Sequence, residues 1–310
     1  MGVAFAAVGF VVVNAAISLL TFLLWAAIRR TEPRANTIFV LRLMPAIGSV
    51  LVVWGLVMPA FWSFEPSATD EHAGPALGAM FVLAAFLILA GLYRAFASWI
   101  ETRRLERLWI AAAAGSASAE LPVPVYRVSS AMPFAALVGV VHPRLYVADR
   151  FFDALEPGER RAVLAHEAAH RDALDNLKRI AMKLAPDWLA LFPAGRQLAS
   201  AWMIAAEDDA DDRAAAPGGA RSLDLAGALL KAARFVPRSC APASGFCEGP
   251  TIARRVARLL DDQPARRQSP HAIVARFALA LAMIAAVALL AGPAIRAAYT
   301  MTEAGVRLLQ

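Results

Sequence analysis

His166-Glu167-Ala168-Ala169-His170 holds the side chains best suited to chemistry in this chain. Positions four apart on an α-helix lie one above the other, so both imidazoles can reach one metal ion while Glu167 stands beside the water that such an ion activates. A helix is expected here. Pro157 suits a first-turn position, Glu159 an early one, and Val163, Leu164, Leu174 and Leu177 recur at three-to-four spacing around the histidines. Taken alone, five residues also fit a chance match on an alanine-rich helix with packed or solvated histidines, so a further ligand is needed to decide.

Glu207-Asp208-Asp209-Ala210-Asp211-Asp212 supplies it. A catalytic zinc takes three protein ligands and keeps a fourth position open, and Glu207 on a second helix completes the set with His166 and His170. Asp211 lies one turn later on the same face. There its carboxylate can accept a hydrogen bond from the non-ligating nitrogen of a metal-bound histidine and fix its tautomer. Acidic runs are ordinarily solvated helix faces. This one interrupts an apolar helix, Leu198 to Ala216, bounded by Pro193 and by Pro217-Gly218-Gly219, so part of it should face inward. Asp208, Asp209 and Asp212 are read as pointing to water. The expected complement is one Zn2+ per chain, with Glu167 catalytic, His166, His170 and Glu207 as ligands, and Asp211 behind them.

At these residues the chain resembles the BlaR/MecR-type antirepressor metallopeptidases of bacterial membranes. Met132-Pro133-Phe134, Gly139 and Pro143-Arg144-Leu145-Tyr146-Val147 look like that family's strand pair before the zinc helix. His166 to His170 followed by Asp175 is similar to its H-E-x-x-H-x-x-x-x-D block, and Glu207 to Asp212 to its E-x-x-[CA]-D-D block. Thr251 to Leu260, TIARRVARLL, is similar to its basic-apolar helix before the last membrane span. HtpX-type membrane proteases share the zinc helix and the E-x-x-A-D pattern. The resemblance implies a zincin-like protease whose small sheet borders the cleft, with an edge strand able to pair with an extended substrate. It also implies a winged-helix repressor as substrate and self-cleavage on activation. The antirepressor proteins carry a penicillin-binding sensor after the last span, which these 310 residues do not include, so direct β-lactam sensing by this polypeptide is not expected.

Hydropathy points to a membrane without any family. The chain is 59% hydrophobic with mean hydropathy +0.53, too apolar for an ordinary soluble protein of this length. Four stretches can cross the hydrocarbon: Val3 to Ile28, Leu43 to Phe61, Ala76 to Tyr93 and Ile273 to Ile295. The first lacks the basic flank of a signal peptide and its apolar run is too long, so it reads as a retained span. Arg29, Arg30, Arg34 and Arg42 follow the first span, whereas the loop after the second carries Glu65, Asp70 and Glu71 and no Lys or Arg. The arginine bias of short loops then puts the first loop inside, both termini outside, and the zinc region in the cytoplasm of a bacterial inner-membrane protein. A charge of +6 without a basic-aromatic pattern suits anionic lipids, not nucleic acid.

The expected fold is therefore mainly α and polytopic. Residues 1–98 hold three transmembrane helices, 99–270 a cytoplasmic zincin-like α+β metalloprotease domain, and 271–310 a fourth span and an external tail. Within 99–270 strands are expected near Val123 to Val128, Phe134 to Val140 and Leu145 to Val147, with Asp149, Ser222 and Thr251 as helix caps. Ala185 to Trp202 reads as helical core, or as a stretch lying against the bilayer. His142, before Pro143, suits either a turn cap or a donor to the cleft, and the turn is preferred. Cytoplasmic Cys240 and Cys247, with no other Cys or His nearby, read as reduced thiols. The implied function is zinc-dependent endopeptidase action on a cytoplasmic protein. HtpX-like quality control and a non-catalytic zinc-stabilised signalling adaptor are the alternatives.

Overall fold

A computed structural model describes residues 2–64, 74–113, 124–130, 132–215, 219–235 and 249–261, with single residues 297, 300, 301 and 304. In chain order the elements are α1 (Gly2–Ile28), α2 (Ala35–Val52), α3 (Met58–Phe64), α4 (Pro75–Ala111), β1 (Val125–Val128), β2 (Ala135–Val138), β3 (Arg144–Ala148), α5 (Asp149–Ala154), α6 (Pro157–Asp172), α7 (Asp175–Leu184), α8 (Pro193–Ala215), α9 (Gly219–Phe235) and α10 (Gly249–Leu260). A π-helical turn, Val53–Val57, joins α2 to α3, and a 3-10 turn, Trp188–Leu191, precedes α8. The chain divides into two compact units. Residues up to 94 and 182–201 fall in the first, residues 95–181 and 202–265 in the second.

Among the described residues, three helices are long and apolar enough to cross a membrane: Phe5–Thr31, Ala35–Ser63 and Pro75–Ala111. The second starts earlier than its most apolar residues do, because nothing between Ala35 and Leu43 breaks a helix. Arg42 therefore lies inside α2, not in the loop where the arginine count had put it, and is buried against Asp187. The third helix runs from Pro75 to Ala111, so the amphipathic helix that the sequence predicts from Glu101 onward continues the third span. The fourth expected span, the acidic loop with Glu65, Asp70 and Glu71, and the thiols Cys240 and Cys247 lie outside the described residues.

Within the first unit, polar groups converge on one short backbone segment. Asn14, fully buried on α1, donates to the carbonyls of Pro45 (3.2 Å) and Pro186 (3.0 Å) and to Ser49 Oγ (2.9 Å), while its Oδ1 accepts from the Trp188 N–H. Arg94 donates to the carbonyls of Lys183 and Ala185. A methyl group on Gly91 would collide with the Leu184 carbonyl, so only glycine allows that approach. An apolar bundle offers no water to an unpaired amide or charge, so such groups must find one another. They do so around residues 183–188, just ahead of α8. The sequence Ala185 to Trp202 is accordingly a 3-10 turn and the start of α8, and residues 185–201 belong to this first unit.

The second unit is built on a three-stranded sheet of order β1-β3-β2, with β1 parallel and β2 antiparallel to the central β3. Val125, Leu145, Val147, Phe151, Phe152, Leu155, Val163, Leu164 and Ala228 form its core, so the sheet, α5, α6 and α9 share one apolar interior. The end of α4 packs on the sheet through Trp109, whose ring stacks on Phe134 (4.8 Å) and tilts against Tyr146 (5.4 Å). Gly139, at φ +105°, opens the bend from β2 to β3, where a side chain would crowd the His142 carbonyl. His142 is exposed on that bend.

The expected caps are placed differently. Asp149 makes no capping bond and instead meets Arg127 at 3.0 Å. Ser222 and Thr251 fall inside the first turns of α9 and α10, which start at Gly219 and Gly249. The helix with the histidines begins at Pro157 with a capping box between Glu156 and Glu159, and stops at Asp172. Leu174 adopts φ +57° at the position after the C-cap that ordinarily takes glycine. The apolar periodicity therefore does not run through it. Leu174 and Leu177 are 57% and 46% exposed, a correction to their expected place on the buried face. A left-handed leucine costs about 1–2 kcal/mol. Leu174→Gly should thus raise unfolding stability by up to about 1 kcal/mol and Leu174→Val should lower it by about 1 kcal/mol, read by thermal unfolding in detergent. Loss of stability in the glycine variant would show that the Leu174 side chain contributes packing that outweighs the strain.

Candidate metal centre

His166 and His170 project from one face of α6, as their spacing requires, with ring centroids 4.7 Å apart and planes nearly perpendicular. Glu207 approaches from α8. His166 Nε2 lies 3.1 Å from His170 Nε2 and 3.4 Å from Glu207 Oε2, and His170 Nε2 lies 3.5 Å from Glu207 Oε1. In a tetrahedral site with bonds of about 2.0–2.1 Å, neighbouring ligand atoms sit roughly 3.3 Å apart. The three donors therefore already have the spacing of a shared cation, and they form the one such group among the described residues.

What aims them is a carboxylate behind each ring. His166 Nδ1 lies 3.0 Å from Asp211 Oδ1, and His170 Nδ1 lies 2.8 Å from Asp175 Oδ2. The His170–Asp175 hydrogen bond puts the proton on Nδ1 and turns Nε2 toward the shared point, while Asp211, whose oxygens accept from Arg255, faces His166 Nδ1 at ion-pair distance without a hydrogen bond. Asp211 is fully buried and Asp175 nearly so. The sequence reading named Asp211 but gave Asp175 no task. Five residues beyond His170, Asp175 is out of helical phase with it, and only the break at Leu174 brings it back.

Arg255 was missed as well. It is 5% exposed on α10, clasps Asp211 with Nε at 2.8 Å and Nη2 at 2.6 Å, and reaches Glu207 Oε2 with Nη1 at 3.0 Å. Its neighbours complete the ladder: Arg254 pairs with both oxygens of Asp208, and Arg258 pairs with Asp212 and bonds the Asp208 carbonyl. Asp208 and Asp212 thus meet arginines rather than open water, correcting the solvated-face reading. The signal was available: Asp208/Asp212 and Arg254/Arg258 are both spaced four apart, as two facing helices require.

Glu167 is 3% exposed and points toward β2. The Phe134 carbonyl accepts from the Ala148 N–H, so even-numbered residues of β2 pair with β3 and odd-numbered peptide groups face outward. On that outer edge the Leu137 peptide group lies near the Glu167 carboxylate and offsets part of its buried charge. Asn176 Nδ2 donates to the Leu137 and Gly139 carbonyls, each at 2.9 Å. The strand edge expected to receive substrate is therefore already engaged at Leu137.

Electrostatics follow from burial and pairing. Burial disfavours the His166 imidazolium, yet Asp211 and Glu207 outweigh that cost and push its pKa up to about 10. Burial would raise Glu207, but His166 and Arg255 bring it down to about 2. For Glu167 burial wins over the two histidines and its pKa rises. The metal-free protein gains stability from His166 that is fully present below its ordinary pKa of 6.5 and lost as pH climbs through about 10. Glu207 contributes stability present above its ordinary 4.5 and lost as pH falls toward about 2. Metal-free protein should therefore be most stable between about pH 4.5 and 6.5. Metal binds neutral imidazole, so loading should shift that maximum upward. Unfolding midpoints across pH, with and without metal, check this, and a metal-free maximum near pH 9 would contradict it.

No curated protein matches the chain. The family model for Peptidase family M48 matches residues 99–241, a span that holds both histidines, Glu167, Glu207 and Asp211. Over those residues the chain is similar to the metallopeptidases of that family, and the three apolar helices among the described residues and the His-His-Glu donor group fit a membrane-associated metallopeptidase.

Proposed function

We propose that the protein is a zinc-dependent endopeptidase that cuts a cytoplasmic protein under control from the bacterial inner membrane. The observation that carries this reading is the convergence of two imidazoles and a carboxylate at ligand spacing, with the buried Glu167 next to them in sequence and space. Two imidazole nitrogens and a carboxylate oxygen at this spacing would suit zinc among common divalent ions. When bound, zinc supplies a Lewis acid that polarises a peptide carbonyl and makes a water acidic enough to ionise near neutral pH. Glu167 does the proton work: its carboxylate takes the proton of the attacking water and returns it to the leaving amine. Its raised pKa keeps it basic enough for the first step and acidic enough for the second. His170–Asp175 and His166–Asp211 hold the ligands still, and no covalent intermediate is involved.

In this reading four helices span the membrane, both termini are outside, and residues 99–270 are cytoplasmic. The arginines at positions 29, 30 and 34 still favour that orientation without Arg42. The substrate is a winged-helix repressor by resemblance to the BlaR/MecR-type proteins, with self-cleavage accompanying activation. An HtpX-like quality-control protease shares the same site and differs in breadth of substrate. New protein N-termini, compared between cells carrying wild type and Glu167→Gln, separate these readings. Glu167→Gln should keep its metal and fold and lose cleavage by about 100-fold to 10,000-fold. One repressor-derived terminus supports regulated proteolysis, and many membrane-protein termini support quality control. Identical termini with normal host signalling would favour a zinc-stabilised adaptor.

A further inference from the structure

We propose that the outer face of α7 is an interfacial membrane contact: Leu177, Ile180 and Leu184 enter the boundary between headgroups and acyl chains of the bilayer that α4 crosses, with Arg179 and Lys183 at headgroup level. This goes beyond the peptidase reading and rests on α4 as a membrane span. In α7 the usual amphipathic order is turned over. Asp175 and Met182, seven apart, share the buried face. Leu177, Ile180, Ala181 and Leu184 recur at three-to-four spacing on the opposite face, where both leucines are exposed and the other two partly so. Single exposed leucines are ordinary on a protein surface, whereas an aligned apolar row marks a surface that something apolar covers.

Depth and charge both choose the bilayer. The last residues of α7 lie against α4 where that helix leaves the hydrocarbon: the Leu184 carbonyl takes the space that Gly91 leaves without a Cβ, and Arg94 donates to the carbonyls of Lys183 (3.2 Å) and Ala185 (2.9 Å). About 20 residues of helix cross the hydrocarbon, which from Pro75 reaches roughly residue 95. Tyr93, Phe96 and Trp99 are exposed at that level, and aromatic rings gather at membrane borders. Arg179 and Lys183 border the apolar row, and Arg103, Arg104 and Arg107 follow the aromatic residues along α4. Basic side chains beside an apolar helix face suit headgroups, toward which their long stems can reach. A soluble partner requires neither that depth nor that border. Asp175, the first residue of the same helix, is the hydrogen-bond partner of His170, so a membrane seat along α7 also steadies a ligand of the metal centre.

The test uses the full chain with Cys240 and Cys247 replaced by serine, carrying one nitroxide label at a time, in nanodiscs of phosphatidylcholine and phosphatidylglycerol. Collision with oxygen, which concentrates in hydrocarbon, is compared with collision with a water-soluble nickel chelate. Labels at Leu177→Cys and Leu184→Cys should lie about 5–10 Å into the interface and favour oxygen several-fold more than a label at Arg179→Cys. Phe86→Cys, exposed on the apolar part of α4, is the reference for immersion. With Phe86 immersed, preference for the nickel chelate at both 177 and 184 would overturn the contact and leave the span standing. Shielding of both labels from both colliders would overturn it too, since protein would then cover the row. A Phe86 label open to water would remove α4 as a span and the proposal with it.

Discussion

Two imidazoles can share a cation only if both point an unprotonated nitrogen at the same place, and here that constraint is met from behind. Asp175 is hydrogen-bonded to Nδ1 of His170 and Asp211 faces Nδ1 of His166 at ion-pair distance, and the two Nε2 edges face each other and Glu207. Much of the second unit serves that arrangement. The capping box at Glu156 and Glu159 starts α6 in register, the left-handed Leu174 ends it so that Asp175 can turn back, and the sheet gives α6 an apolar wall to lie on.

Concentrating carboxylates in a dry site carries its own cost, since an uncompensated buried charge is destabilising by several kcal/mol. Arg255 answers it. Its guanidinium meets Asp211 with two parallel hydrogen bonds and still reaches Glu207, a geometry that lysine could not reproduce. Arg254 and Arg258 lock the same two helices together further out. The helix α10 thereby balances the metal centre's charge through Arg255. In the first unit the same rule, that buried polar groups must find partners, ties residues 183–188 to Asn14, Arg42 and Arg94.

The site was largely legible in the sequence because its spacing is a property of single helices. His166 and His170 one turn apart, and Glu207 and Asp211 one turn apart, name their own faces. Contacts made between elements were not legible. Arg255 was visible only as part of a basic-apolar helix, Asp175 needed a backbone break that no glycine announced, and Asn176 bonds a strand nearly forty residues earlier. Arg42 was misplaced for a related reason. A charge at the edge of an apolar run reads as a loop until its partner, Asp187, is known. Strand positions came out within a residue or two, since alternation and the glycine at 139 mark them locally, whereas the pairing order β1-β3-β2 is a matter of three dimensions.

X-ray absorption at the zinc edge of the purified, zinc-loaded full chain tests the metal centre most directly, because it reads the ligand atoms themselves. Two imidazole nitrogens and carboxylate or water oxygens at about 2.0–2.2 Å, with no sulfur, are the expected shell. A sulfur scatterer at about 2.3 Å, which would bring in Cys240 or Cys247, or an imidazole signature unchanged in the His166→Ala, His170→Ala double variant, would contradict it.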